Sequence, residues 1–269
     1  MGASPIDVSR LLSRHLFNVF GVVVMTSATL AAGDHGAKYF LASVGAPHDT
    51  YELVLGTPFD FSKQAALFLP HDAPDPDAPD AVSRLVKIGR ALIETVGGGA
   101  LFLFTSYRVM RLVHAQLKLS LRYPVMMQGE RSKRELLRNF VERAPSVLFA
   151  TASFWEGVDV PGDPLRLVLI DRLPFGSPGD PLIAARAERI EAKGDSAFAE
   201  LHLPRAILRL KQGFGRLVRT KLDRGVVALL DRRVQTRGYG KLFLRSLPDA
   251  ARIHDLSELE AWLEGAEGI

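Results

Sequence analysis

Five long polar side chains recur at helical spacing between residues 204 and 225. They are Arg205, Arg209, Gln212, Arg216 and Arg219, separated by four, three, four and three positions. On a helix, this spacing places them along one narrow stripe. The stripe contains no acidic residue to relieve the repulsion between its four guanidinium groups. Because the planar guanidinium group fits phosphate oxygens, the segment predicts a surface that binds a polyanion. A solvated basic face is the alternative that the charges alone allow.

The opposite face of this predicted helix is apolar. Ile207, Leu210, Phe214 and Leu217 share it, so we expect them to pack on a hydrophobic core. Pro204 suits the first turn of a helix, because a backbone N–H at that position would have no partner within the helix. The pattern therefore predicts one helix over residues 204–219, with the arginine stripe facing away from the core.

Within this segment Gln212, Gly215, Arg216 and Arg219 form the pattern Gln-x-x-Gly-Arg-x-x-Arg, which resembles motif VI of superfamily 2 helicases. In that family the arginines of the motif reach from the second RecA-like domain to the γ-phosphate of ATP. Their positive charge then stabilises the transition state of phosphoryl transfer. The resemblance implies catalytic roles for Gln212, Arg216 and Arg219, and a place in the nucleotide site for Gly215.

Further segments resemble helicase motifs in the same order as in the family. They are Thr26-Ser27-Ala28-Thr29 for motif III, Phe104-Thr105-Ser106-Tyr107 for motif IV, Gln128-Gly129 for the pair between motifs IV and V, and residues 151–162 for motif V. Residues 154–162, 172–175 and 231–233 have the sequence typical of the DinG/XPD branch. The chain therefore resembles the C-terminal, second RecA-like domain of a DinG/XPD-like superfamily 2 ATP-dependent DNA helicase.

The resemblance implies three groups of functional residues besides the catalytic ones. Residues expected to bind the nucleic-acid strand are Thr105, Ser106, Tyr107, Arg108, Gln128, Gly129, Thr151 and Ser153. Residues expected near the nucleotide are Asp159, Glu156, Gly157 and Gly215. Residues expected to couple the two sites are Thr26, Ser27 and Thr29. A capping turn at residues 26–29, a packed aromatic at Trp155 and a turn-capping Asp159 are the purely structural alternatives.

The elements that would position these residues alternate between apolar strands and amphipathic helices. We predict strands at residues 67–69, 100–104, 124–127, 147–150, 165–170 and 226–230, the last closing the series. We predict helices at residues 7–20, 81–96, 108–121, 132–143, 181–193 and 204–219, an exposed loop at residues 71–80, and a buried strand at residues 22–25. This alternation is typical of an α/β fold with helices on both faces of a parallel sheet, and the resemblance implies the RecA-like version found in P-loop NTPases.

Two parts of an ATPase are missing from the sequence. No Gly-x-x-x-x-Gly-Lys-Ser/Thr loop, which would bind phosphate, is present; residues 33–39 are the nearest match and have the wrong spacing. No Asp-Glu-x-His-type box is present to bind Mg²⁺ either. In the family that the chain resembles, both belong to the first RecA-like domain, as does the iron–sulfur cluster of this branch. We therefore expect residues 58–269 to be the C-terminal motor domain. Residues 1–57 would be a remnant of the first domain, carrying motif III and a linker. Its apolar strand would need a neighbour to pair with.

The function expected from the resemblance is that of a DNA helicase half-motor. It would couple hydrolysis of ATP, with Mg²⁺ held by the missing first domain, to five-prime to three-prime translocation on single-stranded DNA and to duplex unwinding. Its partners would be single-stranded DNA and the first motor domain, in cis or in trans, and the chain alone would lack ATPase activity. A non-catalytic module that binds single-stranded nucleic acid is the alternative, and an unrelated α/β enzyme for a small phosphorylated ligand is a weaker one.

Bulk properties restrict these functions only broadly. A net charge of +4 permits a nucleic-acid partner without requiring one. The absence of cysteine excludes disulfides, a thiolate metal site and a cysteine nucleophile. The histidines have no metal-ligand spacing, so we expect no metal site in this segment. Since no apolar run approaches about 18 residues and no signal pattern is present, we expect a cytoplasmic protein without a membrane partner.

Overall fold

The computed structural model describes residues 5–27, 29–30, 36–151, 154, 164–176, 179–218 and 220–267. The chain divides into two compact units. The first unit comprises Met1–Gly56, Pro174–Lys211 and Leu242–Ser246, and the second comprises Thr57–Leu173, Gln212–Lys241 and Leu247–Ile269. The sequence predicts a domain boundary between residues 57 and 58, with residues 1–57 assigned to the first motor domain. That assignment stays a prediction.

Seven strands of the second unit form one sheet, and all of its strand pairs are parallel. The strands are β1 (Ala65–Phe68), β2 (Ala100–Phe104), β3 (Val125–Met127), β4 (Val147–Thr151), β5 (Leu167–Ile170), β6 (Gly225–Leu229) and β7 (Ala251–Ile253). Their order across the sheet is β3-β4-β2-β5-β6-β1-β7. Every residue of β1, β2, β4, β5 and β6 is buried, as expected for a parallel sheet that is covered on both faces.

The described part of the chain contains eleven α-helices, and those of the second unit connect the strands of the sheet. They are α1 (Ser9–Leu12), α2 (Lys38–Val44), α3 (Phe61–Gln64), α4 (Ala81–Val96), α5 (Tyr107–Leu117), α6 (Lys133–Glu142), α7 (Pro181–Glu191), α8 (Leu203–Phe214), α9 (Arg233–Thr236), α10 (Gly240–Ser246) and α11 (Leu256–Glu267). Short π-helices, Ser13–Phe17 and Phe198–His202, follow α1 and precede α8. None of the helices in the described part of the chain is both long and apolar enough to cross a membrane.

One core of the second unit is built around three aromatic rings on neighbouring strands. Phe102 and Phe104 of β2 stack with 4.4 Å between ring centroids, and Phe149 of β4 lies 5.6 Å and 5.9 Å from them. Buried side chains of α4, α5 and α11 complete this cluster. Burying an aromatic side chain of this size stabilises a fold by roughly 1.5–3 kcal/mol, so the ends of β2 and β4 lie on a rigid base.

The first unit ties its N-terminal segment to α7. Asp7 forms an ion pair with Arg189, with 2.9 Å between Oδ2 and Nη1. The Arg186 side chain donates to the backbone oxygen of Ile6 at 2.7 Å. Arg189 and the N–H and hydroxyl of Ser9 lower the pKa of Asp7, with the Ser9 hydroxyl as the largest cause. These contacts hold the chain just before α1.

Most predicted elements are confirmed, and three predictions about strands and loops are wrong. Residues 22–25 do not form a buried strand, because Val22 and Val24 are 81% and 77% exposed and no strand is formed there. The 71–80 loop is not exposed throughout, because Ala73 and Pro74 are buried. The series of strands does not close at residue 230, since β7 follows and pairs with β1. A three-residue strand is too short to show a period in the sequence.

Candidate functional site

Three side chains predicted to bind nucleic acid meet where β2, β3 and β4 end. The Gln128 side chain donates from Nε2 to the Tyr107 hydroxyl at 2.6 Å. Its Oε1 atom accepts from the backbone N–H and the hydroxyl of Thr151, at 2.7 Å and 2.9 Å. We call Tyr107, Gln128 and Thr151 the Gln128 cluster. One amide group thus joins three strand ends, which supports the prediction that these residues share one site.

The transition from β2 to α5 positions the remaining residues of the motif IV segment. Ser106 is the N-cap of α5, and its Oγ atom accepts from the Val109 N–H at 3.5 Å. Tyr107 is the first helical residue and is 48% exposed. Arg108 is exposed beside it. The hydroxyl of Ser106 therefore has a capping role, while Tyr107 and Arg108 present their side chains to solvent at the N-terminal end of α5.

Gly129 continues the same edge after β3. Its φ of +99° lies in the left-handed region, which a residue with a side chain adopts only with strain. No atom lies within 4 Å of the position that a Cβ would take there. Space alone would therefore admit a side chain, and the backbone conformation is what favours glycine. The turn directs the chain from Gln128 towards α6.

The start of α6 adds basic residues that the motif comparison missed. Ser132 and Glu135 form a capping box, with hydrogen bonds of 3.3 Å and 3.2 Å between side chains and backbone N–H groups. Arg131 and Arg134 flank this cap and are exposed. The Lys133 ammonium group lies 5.1 Å from the ring centroid of Phe154. A charge run directly after a strand end was the sequence signal for these residues.

The arginine stripe is only partly helical. Helix α8 ends at Phe214, and the next residues form a turn in which the Arg216 N–H donates to the Gly213 oxygen at 3.3 Å. The predicted helix over residues 204–219 is therefore wrong at residues 215–218. Two glycines, Gly213 and Gly215, flank the last helical residue and lower the helix propensity by about 1 kcal/mol each. Gln212 and Arg216 are half-buried, and Gly215 is exposed.

The apolar face of α8 is confirmed, and the turn after it is tied to the sheet. Ile207, Leu210, Phe214 and Leu217 are all buried. The Gln64 side chain, which is buried at the start of β1, donates to the backbone oxygens of Thr220 and Asp223 at 2.9 Å each. No feature of the sequence pointed to Gln64. It holds the backbone shortly after Arg216.

Two buried carboxylates lie at the ends of the neighbouring strands β5 and β6. Asp231 is fully buried and accepts hydrogen bonds from the Leu173 N–H at 2.7 Å and from the Arg233 side chain at 2.8–3.2 Å. Asp171 is 2% exposed and accepts from the Thr105 N–H at 3.0 Å. Burial raises the pKa of Asp171 to about 7, and the charge of Asp231 adds to this. The Arg172 charge and the hydrogen bonds to Thr105 and Arg172 oppose it.

The predicted coupling residues form a local turn in the first unit. The Thr29 N–H donates to the Ser27 hydroxyl at 3.2 Å, and the two hydroxyls lie 3.5 Å apart. Thr26 and Ser27 are exposed. This arrangement matches the capping turn that was the structural alternative, and the coupling role is neither supported nor contradicted by it.

Several predicted site residues lie outside the described part of the chain. They are Ser153, Glu156, Gly157, Asp159 and Arg219. Within the described residues, no group of three or more histidine, aspartate or glutamate side chains is arranged to hold a metal ion.

Comparison with known proteins places this geometry in context. Residues 90–250 match the family model described as "Helicase C-terminal domain". The chain is 40% identical over 263 residues to "ATP-dependent DNA helicase YoaA" of Escherichia coli, covering 98% of this chain and 41% of that protein. It is 38% identical over 265 residues to "ATP-dependent helicase DinG" of Mycobacterium tuberculosis, covering 97% of this chain and 39% of that protein. The chain thus spans about two-fifths of the length of these relatives.

A solved structure shares the fold. The structure titled "XPD_Helicase" superposes with a TM-score of 0.70 and 18% identity, over 93% of this chain and 45% of that chain. The predicted RecA-like α/β fold, with a parallel sheet covered by helices, is therefore confirmed.

Proposed function

Because this chain belongs to the family of helicase C-terminal domains and is similar to the DinG and YoaA helicases, we propose that it forms the C-terminal half of an ATP-dependent DNA helicase. The half-motor couples hydrolysis of ATP to movement along single-stranded DNA and to unwinding of the duplex. The observation that carries the proposal is the Gln128 cluster, which gathers residues of three separate motifs at one edge of the sheet.

The edge that carries the Gln128 cluster is suited to a DNA strand. Ligands of open α/β sheets bind outside the carboxyl ends of the strands. Hydroxyl, amide and backbone N–H groups are common partners of phosphate and sugar, and such contacts bind a strand without reading its sequence. The half-exposed ring of Tyr107 adds a surface for stacking. We assign Thr105, Ser106, Arg108 and Gly129 to the same surface, together with Ser153.

Exposed arginines extend this surface. Arg108 lies in the first turn of α5, while Arg131 and Arg134 flank the start of α6. A helix N-terminus carries a partial positive charge that favours phosphate. The cationic side chains and the two helix N-termini therefore both attract phosphate groups to this surface. The affinity for DNA should fall steeply with salt concentration, because phosphate contacts release counterions.

The nucleotide would be bound by residues on and after α8. We assign Gln212, Gly215, Arg216 and Arg219 to the terminal phosphates of ATP, and Glu156, Gly157 and Asp159 to nucleotide sensing. The guanidinium group of Arg216 fits this role because it offers a fixed charge and a planar set of donors. When bound, Mg·ATP supplies the phosphoryl group whose transfer to water drives the motor, and this chain's arginines stabilise the charge that develops on it. The ligands of Mg²⁺ are assigned to the first motor domain.

Exposed apolar segments of the first unit suit contact with that domain. Val22 and Val24 are more than three-quarters exposed, and so are Tyr51 and Leu55. Two short runs of exposed apolar side chains suit a surface that another domain covers. We propose that residues 1–57 belong structurally to the first motor domain, with Thr26, Ser27 and Thr29 coupling nucleotide and DNA.

The test adds the first motor domain in trans. The purified chain is mixed with the portion of the Escherichia coli relative that this chain does not match, and ATP hydrolysis is measured with and without single-stranded DNA. We expect turnover only in the mixture, and only when the chain carries an intact Arg216. DNA-stimulated hydrolysis by the chain alone, abolished by Arg216→Ala, would show that these residues need no second motor domain for ATP hydrolysis. Salt-dependent DNA binding without any ATPase in the mixture would instead favour the non-catalytic strand-binding module.

A further inference from the structure

We propose that Asp171 is a positioning residue of the DNA-binding edge, which holds the junction between β2 and α5 in the conformation that contacts the strand. The inference rests on the proposed function. It concerns a residue that no helicase motif discussed above includes and that does not itself lie on the exposed surface.

The geometry is a reciprocal clamp between two strand ends. The backbone N–H of Asp171 donates to the Leu103 oxygen of β2 at 3.0 Å. In return, the Asp171 Oδ1 atom accepts from the Thr105 N–H at 3.0 Å. The Thr105 N–H, just after the end of β2, thus donates to the Asp171 carboxylate instead of to a backbone oxygen of β5. It fixes Thr105, which immediately precedes the N-cap Ser106 of α5.

The clamp controls the side chains that contact solvent. Tyr107 is two residues beyond Thr105, and its hydroxyl must meet the amide of Gln128 for the Gln128 cluster to form. If Thr105 were released, the first turn of α5 would lose its fixed starting point. The hydroxyl of Tyr107 and the charge of Arg108 would then move relative to Gln128 and Thr151.

The second oxygen of the carboxylate is held much more loosely. Within the described residues, Oδ2 has no hydrogen-bond partner, and it lies 3.6 Å from Nε of Arg172. A cavity of about 410 Å³ borders Asp171 and Arg172, and its lining includes Ser106, Arg108 and Asp77. The charged groups around the carboxyl are therefore Arg172, Arg108, Asp77 and, from the end of β6, Asp231.

A buried carboxylate held by neutral backbone donors and an imperfect ion pair is not an efficient way to stabilise a fold. Such burial disfavours the charged form, and the pKa of Asp171 is raised to about 7, primarily for this reason. Since the folded-state pKa lies above the usual value of 3.8, the stability of the fold falls as the pH rises from about 3.8 to about 7, and it stays lower at higher pH, where Asp171 is ionised in the folded chain as well. Groups that cost stability in this manner cluster at functional sites.

The protonation state gives the clamp a measurable signature. A charged carboxylate is a stronger acceptor for the Thr105 N–H than a neutral carboxyl group. As the pH falls through about 7, protonation of Asp171 should loosen the junction and weaken strand binding. An asparagine at this position keeps a neutral acceptor at all pH values, so its clamp would be weak throughout.

The experiment compares the full chain with Asp171→Asn and with the control Glu94→Gln. Glu94 is an exposed acid in the last turn of α4 that pairs with Arg90, so the control makes the same change in charge at the opposite end of that helix from the carboxyl ends of the strands. Affinity for a labelled oligo-dT strand is measured by fluorescence anisotropy from about pH 6 to pH 8 and at several salt concentrations. We expect Asp171→Asn to bind about tenfold more weakly than the unchanged chain near pH 8, the effect of one lost charge-assisted hydrogen bond, and equally near pH 6.

Two further readouts separate positioning from a merely structural or electrostatic role. The slope of log affinity against log salt should stay the same in Asp171→Asn, because the number of phosphates contacted does not change. The free energy of unfolding near pH 8 should not fall, because the substitution removes a buried charge. A ratio of affinities that is constant with pH, a changed salt slope, or a loss of stability matching the loss of binding would each overturn the inference.

Amide exchange tests the clamp without DNA. The Thr105 amide should exchange faster in Asp171→Ala than in the unchanged chain, whereas amides in the middle of β2 should not change. Unaltered exchange at Thr105 would refute the clamp even if DNA binds. If the Thr105 amide responds but the unchanged chain binds no single-stranded DNA, the proposed function fails while the clamp itself stands.

Discussion

The side-chain amide of Gln128 donates to the hydroxyl of Tyr107 at 2.6 Å, and so links the residue after β3 to the first residue of α5. Two segments 21 positions apart in the chain thereby share one polar contact at the carboxyl edge of the sheet. The same amide accepts two hydrogen bonds from Thr151. A polar side chain with partners on both sides is held in one orientation, which suits a rigid surface for a nucleic-acid backbone.

Replacing Gln128 by alanine should weaken binding of single-stranded DNA about tenfold, because the loss of one well-paired polar side chain costs about 1–2 kcal/mol and here disorders two neighbours. Fluorescence anisotropy with a labelled oligonucleotide measures the effect. Gln116→Ala is the control, since Gln116 is an exposed glutamine of α5 whose side chain lies away from the strand ends. Equal affinities of the two variants would contradict a role for the Gln128 cluster.

Arg216→Ala should reduce ATP hydrolysis by the reconstituted two-domain motor about 10³-fold, the scale of an arginine that stabilises a phosphoryl transition state. Arg216→Lys should not restore the activity, because an ammonium group lacks the planar set of donors. Binding of single-stranded DNA should stay within about twofold, since counterion release by other cations dominates it. Arg90→Ala, on the exposed side of α4, is the matched control. A DNA-binding defect as large as the ATPase defect would argue against a nucleotide role.

Val22→Asp combined with Val24→Asp should leave the stability of the chain alone within about 0.5 kcal/mol, because both side chains are largely exposed. Association with the first motor domain should weaken at least tenfold, since each charge would be buried in an apolar contact. Pull-down or calorimetric titration with that domain measures it. Leu119→Asp alters an equally exposed leucine of the second unit and should have no effect. Unchanged association of the double variant would show that this segment is not the contact.

His114 should make the fold less stable in mild acid. The side chain is buried against Phe149, and burial lowers its pKa from 6.5, with a smaller contribution from Lys118 and an opposing one from Glu130. The unfolded chain therefore binds a proton near pH 6.5 that the folded chain resists, so stability is full above that pH and falls below it. Urea unfolding at pH 7.5 and 5.5 should show a larger loss for the unchanged chain than for His114→Leu. Equal losses would mean that other groups cause the acid sensitivity.

Long helices could be predicted from the sequence, because their apolar spacing stops at the residues where the helices themselves end. Helix α4 has the predicted bounds of residues 81 and 96, since its apolar spacing stops at Gly97, whose φ of +85° ends a helix easily. The end of α8 could not be predicted, because the arginine spacing continues past Phe214 while the glycines beside it interrupt the helix. The prediction gave more weight to the helical spacing of the arginines than to the low helix propensity of the two glycines.

The candidate site was predicted as a set of residues and not as a set of contacts. Motif resemblance named Tyr107, Gln128 and Thr151, but their hydrogen bonds depend on the order of β2, β3 and β4 in the sheet. Asp171 was missed because a single acid after an apolar strand has no distinguishing pattern. The strand at residues 22–25 was predicted wrongly for a related reason. An apolar run indicates burial, and the partner that would bury it is not encoded in the run itself.

Strand β7 has a consequence for anyone who shortens this protein. It pairs with β1 and its last residue accepts the Leu69 N–H at 2.8 Å, yet it begins one residue after the end of the match to the family model. A recombinant chain that keeps β1 but stops at residue 250, where that match ends, would leave the backbone of β1 open along one side. Exposed edge strands pair with the edge strands of other molecules, so the shortened protein should precipitate or form fibrils under conditions in which the longer chain stays in solution. Residues 251–253 therefore protect β1 from pairing with a second copy of the chain.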